Sequence, residues 1–174
     1  MLRTILLSTI ILALATSGCN LSISLNDSES PPQQSPPVAP IPQYTSQETT
    51  TFGVVATQGW QNTYVLVKEG DRVMVKYVSG QWTQQVNGVA LHDAADQGGY
   101  ICGRSDCVEP YPDFPQGALI GRIGPQLIAI GNKASFTSQY TRYLALRMND
   151  GDAGLYDNGG SVTVSITVEH IVPN

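Results

Sequence analysis

The chain has 174 residues, a formal net charge of −5, and charged side chains at only 13% of its positions. No cluster of lysine and arginine is present, which argues against a nucleic acid partner. The acidic excess suits neutral polar ligands or cations instead.

Residues 1–18 have the pattern of a secretory signal, with an apolar core from Ile5 to Ala15 that is short for a transmembrane helix. The segment ends in "TSGC". Small residues before a cysteine resemble the bacterial lipobox, which predicts a lipid on Cys19 and a membrane anchor. Ordinary secretion is the alternative, because Thr16 stands where that motif usually has leucine. Asn20, in place of an aspartate after the cysteine, favours the outer membrane.

Residues 19–48 are predicted to form a disordered tether behind the lipid. They hold six of the eleven prolines and several serines and glutamines, with no lysine or arginine. Such a composition cannot bury enough apolar surface to order itself. Where extended, it spans roughly 3 Å per residue and would hold a domain some tens of Å from the membrane.

Residues 49–174 are predicted to form one all-β domain, an antiparallel two-sheet jelly roll or sandwich. Apolar residues alternate with polar ones most clearly over 161–172, and no stretch after the signal has a convincing helical period. The segment 80–116 is poor in strand signals and long for a connection, and such loops are often functional. The predicted strands are 51–57, 62–68, 72–78, 117–124, 126–131, 141–148 and 161–172.

Cys102 and Cys107 are predicted to form a disulfide, because an exported domain lies in an oxidising compartment. Half of a zinc site is the alternative, but no second Cys/His pair follows. His170 lies on the same face of the predicted strand 161–172 as its alternating apolar residues. It is interpreted as a histidine at the end of a packed strand. Trp60 and Trp82 suit either the core or stacking on a sugar ring.

The segment "NDGDAGLYDNGG", residues 149–160, concentrates side-chain oxygens in a glycine-rich turn before the last strand. Calcium binds six to eight oxygens from carboxylates, amides and backbone carbonyls, all of which this segment supplies. It is not an EF-hand, since counting from Asp150 places Leu155 where glycine is needed and Ser161 where glutamate is needed. A solvated hairpin with Asx turns is the alternative to a calcium loop.

A series of motifs between residues 53 and 170 is specific when taken together. They are "GVVATQGWQNT", "VKEGDRVMVKYVSGQW", "ADQGGYIC", the cysteine spacing, "GALIGRIG" and "NDGDAGLYDNGGSVTVSI". The domain thereby resembles the PA-I galactophilic lectin family, calcium-dependent bacterial jelly rolls that bind galactose. The resemblance implies five calcium ligands here: the side chains of Asp150, Asp157 and Asn158, and the backbone carbonyls of Gln85 and Gly154.

The resemblance also implies a sugar site beside the cation. In the family, two adjacent hydroxyls of galactose complete the calcium shell, and the ligating side chains bond to them. Asp150 and Asp157 take that role here, and Asp157 adds negative charge where the family has asparagine. Gln97 corresponds to the glutamine that holds the 6-hydroxyl of the sugar, and Gly151 to a valine that lines the pocket.

This chain departs from the family pattern in the residues that bind the sugar. Ala94 replaces the histidine of the family's "HPDQG" loop, and Gly154 replaces a threonine. Removal of a buried hydrogen bond typically costs about 1 kcal/mol, so affinity or selectivity is expected to differ. His92, two residues before Ala94, is a candidate substitute.

We therefore predict calcium-dependent binding of galactose-containing glycans by a membrane-anchored lipoprotein, in adhesion or glycan recognition. Many anchored copies would supply multivalency, and a homo-oligomer is left open. The alternative is a structural or interaction module that keeps the fold, with or without the calcium site, and binds no sugar. No enzyme is predicted, because the carboxylates near residue 150 resemble ligands rather than an acid/base pair.

Overall fold

A computed structural model describes residues 43–96 and 98–171, without the side chains of Tyr44 and Thr45. The predicted signal, Cys19 and Gln97 lie outside the described residues. The elements are β1 (Tyr44–Val55), β2 (Gln61–Val67), β3 (Arg72–Thr83), β4 (Leu119–Ile123), β5 (Gln126–Ala129), β6 (Lys133–Thr137), β7 (Arg142–Met148), a short 3-10 helix (Leu155–Asp157) and β8 (Gly159–Ile171).

The strands form two antiparallel sheets of four strands each. One sheet has the order β1-β8-β3-β6, and the other has the order β2-β7-β4-β5. This confirms the predicted all-β sandwich. Among the described residues, no helix is long and apolar enough to span a bilayer.

The core lies between the sheets and follows from the period-two pattern of the strands. In β8, Val162, Val164, Ile166 and Val168 are at most 2% exposed. Leu144, Leu146 and Met148 of β7 are fully buried, as is Trp82 of β3, so Trp82 is a core residue. Each such aliphatic side chain contributes about 1.5–3 kcal/mol relative to exposure.

The strand boundaries differ from the prediction in three places. β1 begins at Tyr44, within the residues assigned to the tether, because its polar N-terminal half pairs with the end of β8. β3 continues to Thr83. β6 was not predicted at all, since it has only five residues and none of them is buried.

His170 is held at the end of β8 by a buried carboxylate, which agrees with its predicted packing role. Its Nδ1 lies 2.7 Å from Oδ2 of Asp71, a residue only 1% exposed. The same Oδ2 accepts a hydrogen bond from the backbone N–H of Lys68 at 2.8 Å. Asp71 therefore ties the β2–β3 turn to the last strand.

The topology places two long loops at one end of the sandwich. Thr83 at the end of β3 pairs with Gly159 at the start of β8, and Leu119 at the start of β4 pairs with Met148 at the end of β7. Loop 84–118 and loop 149–158 therefore leave the sheets side by side. These loops contain all the described residues of the predicted site.

Two glycines allow the paired strands β3 and β8 to approach each other closely beside these loops. Gly80 and Gly160 have φ of +97° and +83°, a region that L side chains rarely adopt. A Cβ on Gly160 would lie 2.9 Å from the Cα of Trp82 in the facing strand. Another residue at either position would push the strands apart next to the predicted calcium loop.

Candidate functional site

Asp150 lies at the centre of the two-loop end and is only 4% exposed. Its Oδ1 accepts hydrogen bonds from Nε2 of Gln116 and from the backbone N–H of Gly151, both at 2.8 Å. Its Oδ2 lies against Gly154, 3.0 Å from where a Cβ would stand. Among the described residues Oδ2 accepts no hydrogen bond, so this carboxylate oxygen is left for a ligand.

Loop 149–158 turns back over Asp150 through a chain of short backbone bonds. The N–H of Gly154 donates to the carbonyl of Gly151 at 2.9 Å, and the N–H of Asp157 donates to the carbonyl of Gly154 at 3.2 Å. The resulting 3-10 helix ends at Asp157, and Asn158 is its C-cap residue. Three of the predicted ligands, Gly154, Asp157 and Asn158, therefore lie in or next to this helix.

Asn158 carries an unsatisfied oxygen. The residue is 4% exposed, and its Nδ2 donates to the carbonyl of Ala56 at 3.1 Å. Its Oδ1 is buried and has no hydrogen-bond partner among the described residues. A buried amide oxygen without a partner costs about 1–3 kcal/mol, which a cation at this position would offset.

The carbonyl of Gln85 is already engaged within the protein. It accepts hydrogen bonds from the N–H groups of Gly88 and Val89 at 3.2 and 3.0 Å, and from Oγ1 of Thr83 at 3.2 Å. The next residue, Val86, donates its N–H to the carbonyl of Asp157 at 2.9 Å. The structure therefore brings Gln85 beside Asp157, but its carbonyl has less spare capacity than the other predicted ligands.

The donor set fits a hard cation. Asp150, Asp157 and Asn158 offer oxygens of the types that calcium prefers, and the oxygens of Asp150 and Asn158 described above lack protein partners. A carboxylate at a buried residue such as Asp150 is stabilised by a compensating positive charge. These residues would hold the ion; the Gln85 carbonyl fits least well.

The residues of the predicted sugar pocket differ in how they are placed. Gln97 is not described. Ala94 is fully buried, and the N–H of Leu119 donates to its carbonyl at 2.8 Å. Gly151 is buried by Val108, whose Cγ2 lies 2.8 Å from where a Cβ on Gly151 would stand. Val108, although itself 75% exposed, therefore covers Gly151.

His92 is engaged within loop 84–118 and is not presented to a ligand. Its Nδ1 lies 2.8 Å from the carbonyl of Asp93, and its Nε2 lies 2.9 Å from Oε1 of Gln84. Both ring nitrogens therefore have protein partners. This placement does not support His92 as a substitute for the missing family histidine.

Two aspartates beside His92 have opposite electrostatic environments. Nδ2 of Asn132 donates to Oδ2 of Asp93 at 2.8 Å, and this bond, with one from the Ala95 N–H, lowers the pKa of Asp93. Asp96 is 8% exposed and its Oδ2 has no partner among the described residues. Burial raises the pKa of Asp96, although His92, 3.6 Å away, opposes that shift.

Arg147 supports loop 149–158 and is only 2% exposed. Its guanidinium donates to the carbonyls of Met148 and Asp150 at 3.0 and 2.6 Å, and to Oδ1 of Asp152 at 2.7 Å. It also lies 5.6 Å from the ring centroid of Trp60. Trp60 is half-buried, and Cζ of Arg122 lies 4.4 Å from its ring centroid. The Trp60 ring therefore makes cation–π contacts with two arginines.

Asn149 joins loop 149–158 to the end of loop 84–118. Its Nδ2 donates to the carbonyls of Tyr111 and Phe114 at 2.9 Å and of Pro115 at 3.1 Å, and its Oδ1 accepts from the Tyr111 N–H at 3.0 Å. No role was predicted for Asn149, Gln116 or Arg147. Only Asn149 carried a signal, since it precedes Asp150 in the "ND" pair.

Cys102 and Cys107 form the predicted disulfide, with a Cα–Cα distance of 6.2 Å. The carboxylate of Glu109 and both sulfurs lie within 4.8 Å of one another. Zinc requires thiolates, and the disulfide removes both. The zinc alternative is therefore wrong.

No protein-family model and no curated protein matches this chain. Among solved structures, the chain is similar to one described as "EclA N-terminal domain; PllA-like lectin". The alignment has a TM-score of 0.51 and 21% identity, and covers 74% of this chain and 98% of that one. At this identity the similarity establishes the fold alone: the described domain shares the β-sandwich fold of that structure.

Proposed function

We propose that this protein is an outer-membrane lipoprotein whose domain binds galactose-type carbohydrate in a calcium-dependent manner. The observation that carries the proposal is the pair of uncommitted oxygens on loop 149–158. Oδ2 of Asp150 accepts no hydrogen bond among the described residues, and Oδ1 of Asn158 is buried without a partner there. The lectin fold and the PA-I resemblance support the same conclusion.

In this proposal, different residues bind the cation, orient the Asp150 carboxylate and bind the sugar hydroxyls. Calcium, when bound, would supply open coordination positions that two adjacent sugar hydroxyls fill together. Gln116 and the Gly151 N–H orient the Asp150 carboxylate by holding its Oδ1. Asp150 and Asp157 would accept hydrogen bonds from the two hydroxyls, and Gln97 would bind the 6-hydroxyl.

Affinity for a single sugar is expected to be modest. Ala94 provides no hydrogen bond where the family has histidine, and both nitrogens of His92 are engaged elsewhere. Many anchored copies would compensate by binding a glycan surface at several points. Replacement of Cys19 by serine should move the protein from the membrane fraction to the soluble fraction.

Calorimetry with methyl galactoside tests the proposal. Binding should require calcium and disappear with a chelator. Asp150→Asn and Asp157→Ala should each weaken calcium and sugar binding together, whereas Asp113→Asn, an exposed aspartate of the neighbouring loop, should change neither. Sugar binding that persists without calcium, or in the Asp150 variant, would contradict the proposal.

A structural or interaction module is the second candidate function. It is favoured by the carbonyl of Gln85, which already accepts three hydrogen bonds from its own loop. In that case calcium would raise the melting temperature, but no glycan on a broad array would bind. Binding of any galactoside in the presence of calcium would exclude this candidate.

A further inference from the structure

Tyr156 is the most exposed of the large apolar side chains in the described residues, at 85%. It lies in the 3-10 helix, directly before the predicted ligand Asp157. Beside it is a cleft of about 330 Å³ between the helix and loop 85–87. The cleft is lined by Gln85, Val86, Asn87, Tyr156 and Asp157.

The walls of this cleft are held by the protein itself. The N–H of Val86 donates to the carbonyl of Asp157 at 2.9 Å, which joins loop 85–87 to the helix. Oγ1 of Thr83, a residue only 3% exposed, contacts the carbonyls of Gln85 and Val89 at 3.2 and 3.0 Å. A ligand would therefore meet a formed cleft and would not have to order it.

The lining has the chemistry that a sugar ring needs. The Tyr156 ring and Val86, which is 58% exposed, present apolar surface that suits the C–H face of a pyranose. Gln85 and Asn87 carry amides that both donate and accept, and Asp157 accepts. The only charged group in the lining is the carboxylate of Asp157, which favours a neutral ligand over an anionic one.

We infer that this cleft is a second sugar subsite, which takes a neutral pyranose linked to the calcium-bound sugar, with Tyr156 as its stacking platform. The inference rests on the proposed function, because Asp157 and Gln85 border both sites. The volume lies at the lower end of the range for small-molecule pockets, which suits one additional ring. The protein would thus select glycans by their penultimate sugar as well as by the terminal one.

The test compares methyl galactoside with a panel of galactose-terminated disaccharides that differ in linkage and second sugar, by calorimetry on the full chain in saturating calcium. At least one disaccharide should bind about threefold to tenfold more tightly than the monosaccharide, the gain expected of one stacking contact. Tyr156→Ala should abolish that gain and leave monosaccharide and calcium affinity unchanged. Tyr156→Phe should retain it.

Tyr143→Ala is the matched control, since Tyr143 is an exposed tyrosine of β7 and does not line the cleft. If the monosaccharide binds but no disaccharide binds more tightly, the subsite is refuted while the proposed function stands. A gain that survives Tyr156→Ala refutes it as well. If no galactoside binds, both proposals fail together.

Discussion

Gln116 donates a hydrogen bond from Nε2 to Oδ1 of Asp150 at 2.8 Å, although 34 positions separate the two residues. The bond fixes which carboxylate oxygen is left over. Because Oδ1 also accepts from the Gly151 N–H, the oxygen available to a cation is Oδ2, on the side of Gly154. Loop 84–118 thereby sets the geometry of a ligand that belongs to loop 149–158.

Replacement of Gln116 by alanine should therefore weaken calcium binding without unfolding the domain. A hydrogen bond to a charged group contributes about 1.5–3 kcal/mol, so calcium affinity should fall roughly tenfold or more. Calcium titration by calorimetry measures the change. Gln126→Ala is the matched control, because Gln126 at the start of β5 also makes side-chain hydrogen bonds, to the backbone of Thr137 and Gln139. Equal calcium affinity in all three proteins would show that Gln116 does not orient the site.

Gly151 and Val108 form a second contact between the two loops. A Cβ on Gly151 would lie 2.8 Å from Cγ2 and 3.2 Å from Cβ of Val108. Valine has few rotamers with which to escape such a clash. Gly151→Val should therefore destabilise the domain by about 1–3 kcal/mol, measured by urea unfolding.

Val108→Ala in the same chain should recover part of that stability, because it removes the nearer carbon. Gly53→Val controls for the extra side chain, since a Cβ at Gly53 has no neighbour within 4 Å. The coupling energy between Gly151→Val and Val108→Ala in urea unfolding measures whether the two residues are in contact. Strictly additive effects would mean that Val108 does not cover Gly151 in solution.

Arg147 and Asp152 form an ion pair, but their replacement is predicted to change the free energy of unfolding by very different amounts. Arg147 is 2% exposed and serves two backbone carbonyls of the loop as well as Asp152. Arg147→Met should cost about 2–4 kcal/mol in unfolding free energy, because those buried carbonyls lose their donors.

Asp152→Ala is the matched partner change. Its side chain is 84% exposed, so the loss of the ion pair should cost less than about 1 kcal/mol. Chemical denaturation of both variants gives the comparison. A destabilisation of similar size in the two would mean that the ion pair, and not the backbone bonds of Arg147, supports the loop.

The sandwich was predictable because it rests on local alternation. β8 places Val162 to Val168 inward at every second position, and its sequence has that pattern without interruption. β6 was missed because the strand is short and its two apolar residues, Ala134 and Phe136, are only partly buried.

The candidate site was only half predictable. Asp150, Asp157 and Asn158 are local to one turn and gave a compositional signal. Gln116 and the Val108 contact come from a loop with no regular period, and their roles depend on how the chain returns from β3 to β4. Arg147 gave no signal either, since a charged residue on an alternating strand is normally interpreted as solvent-facing.

Asp96 and Asp93 should respond to pH in opposite directions. Burial raises the pKa of Asp96, so its contribution to stability is fully present below the unfolded pKa and is lost as pH rises through the folded one. Hydrogen bonding lowers the pKa of Asp93, so its contribution is present above the unfolded pKa and is lost on acidification.

Asp96→Asn should therefore raise the melting temperature near neutral pH, because it removes a buried charge without a bonding partner. Asparagine also tolerates the positive φ of 38° at this position. Asp93→Asn should lower the melting temperature at the same pH. Both differences should shrink toward about pH 3, where an ordinary aspartate is largely protonated. Circular dichroism melts across this range give the comparison, and a lower melting temperature for Asp96→Asn at neutral pH would mean that attraction to His92 outweighs the cost of burial.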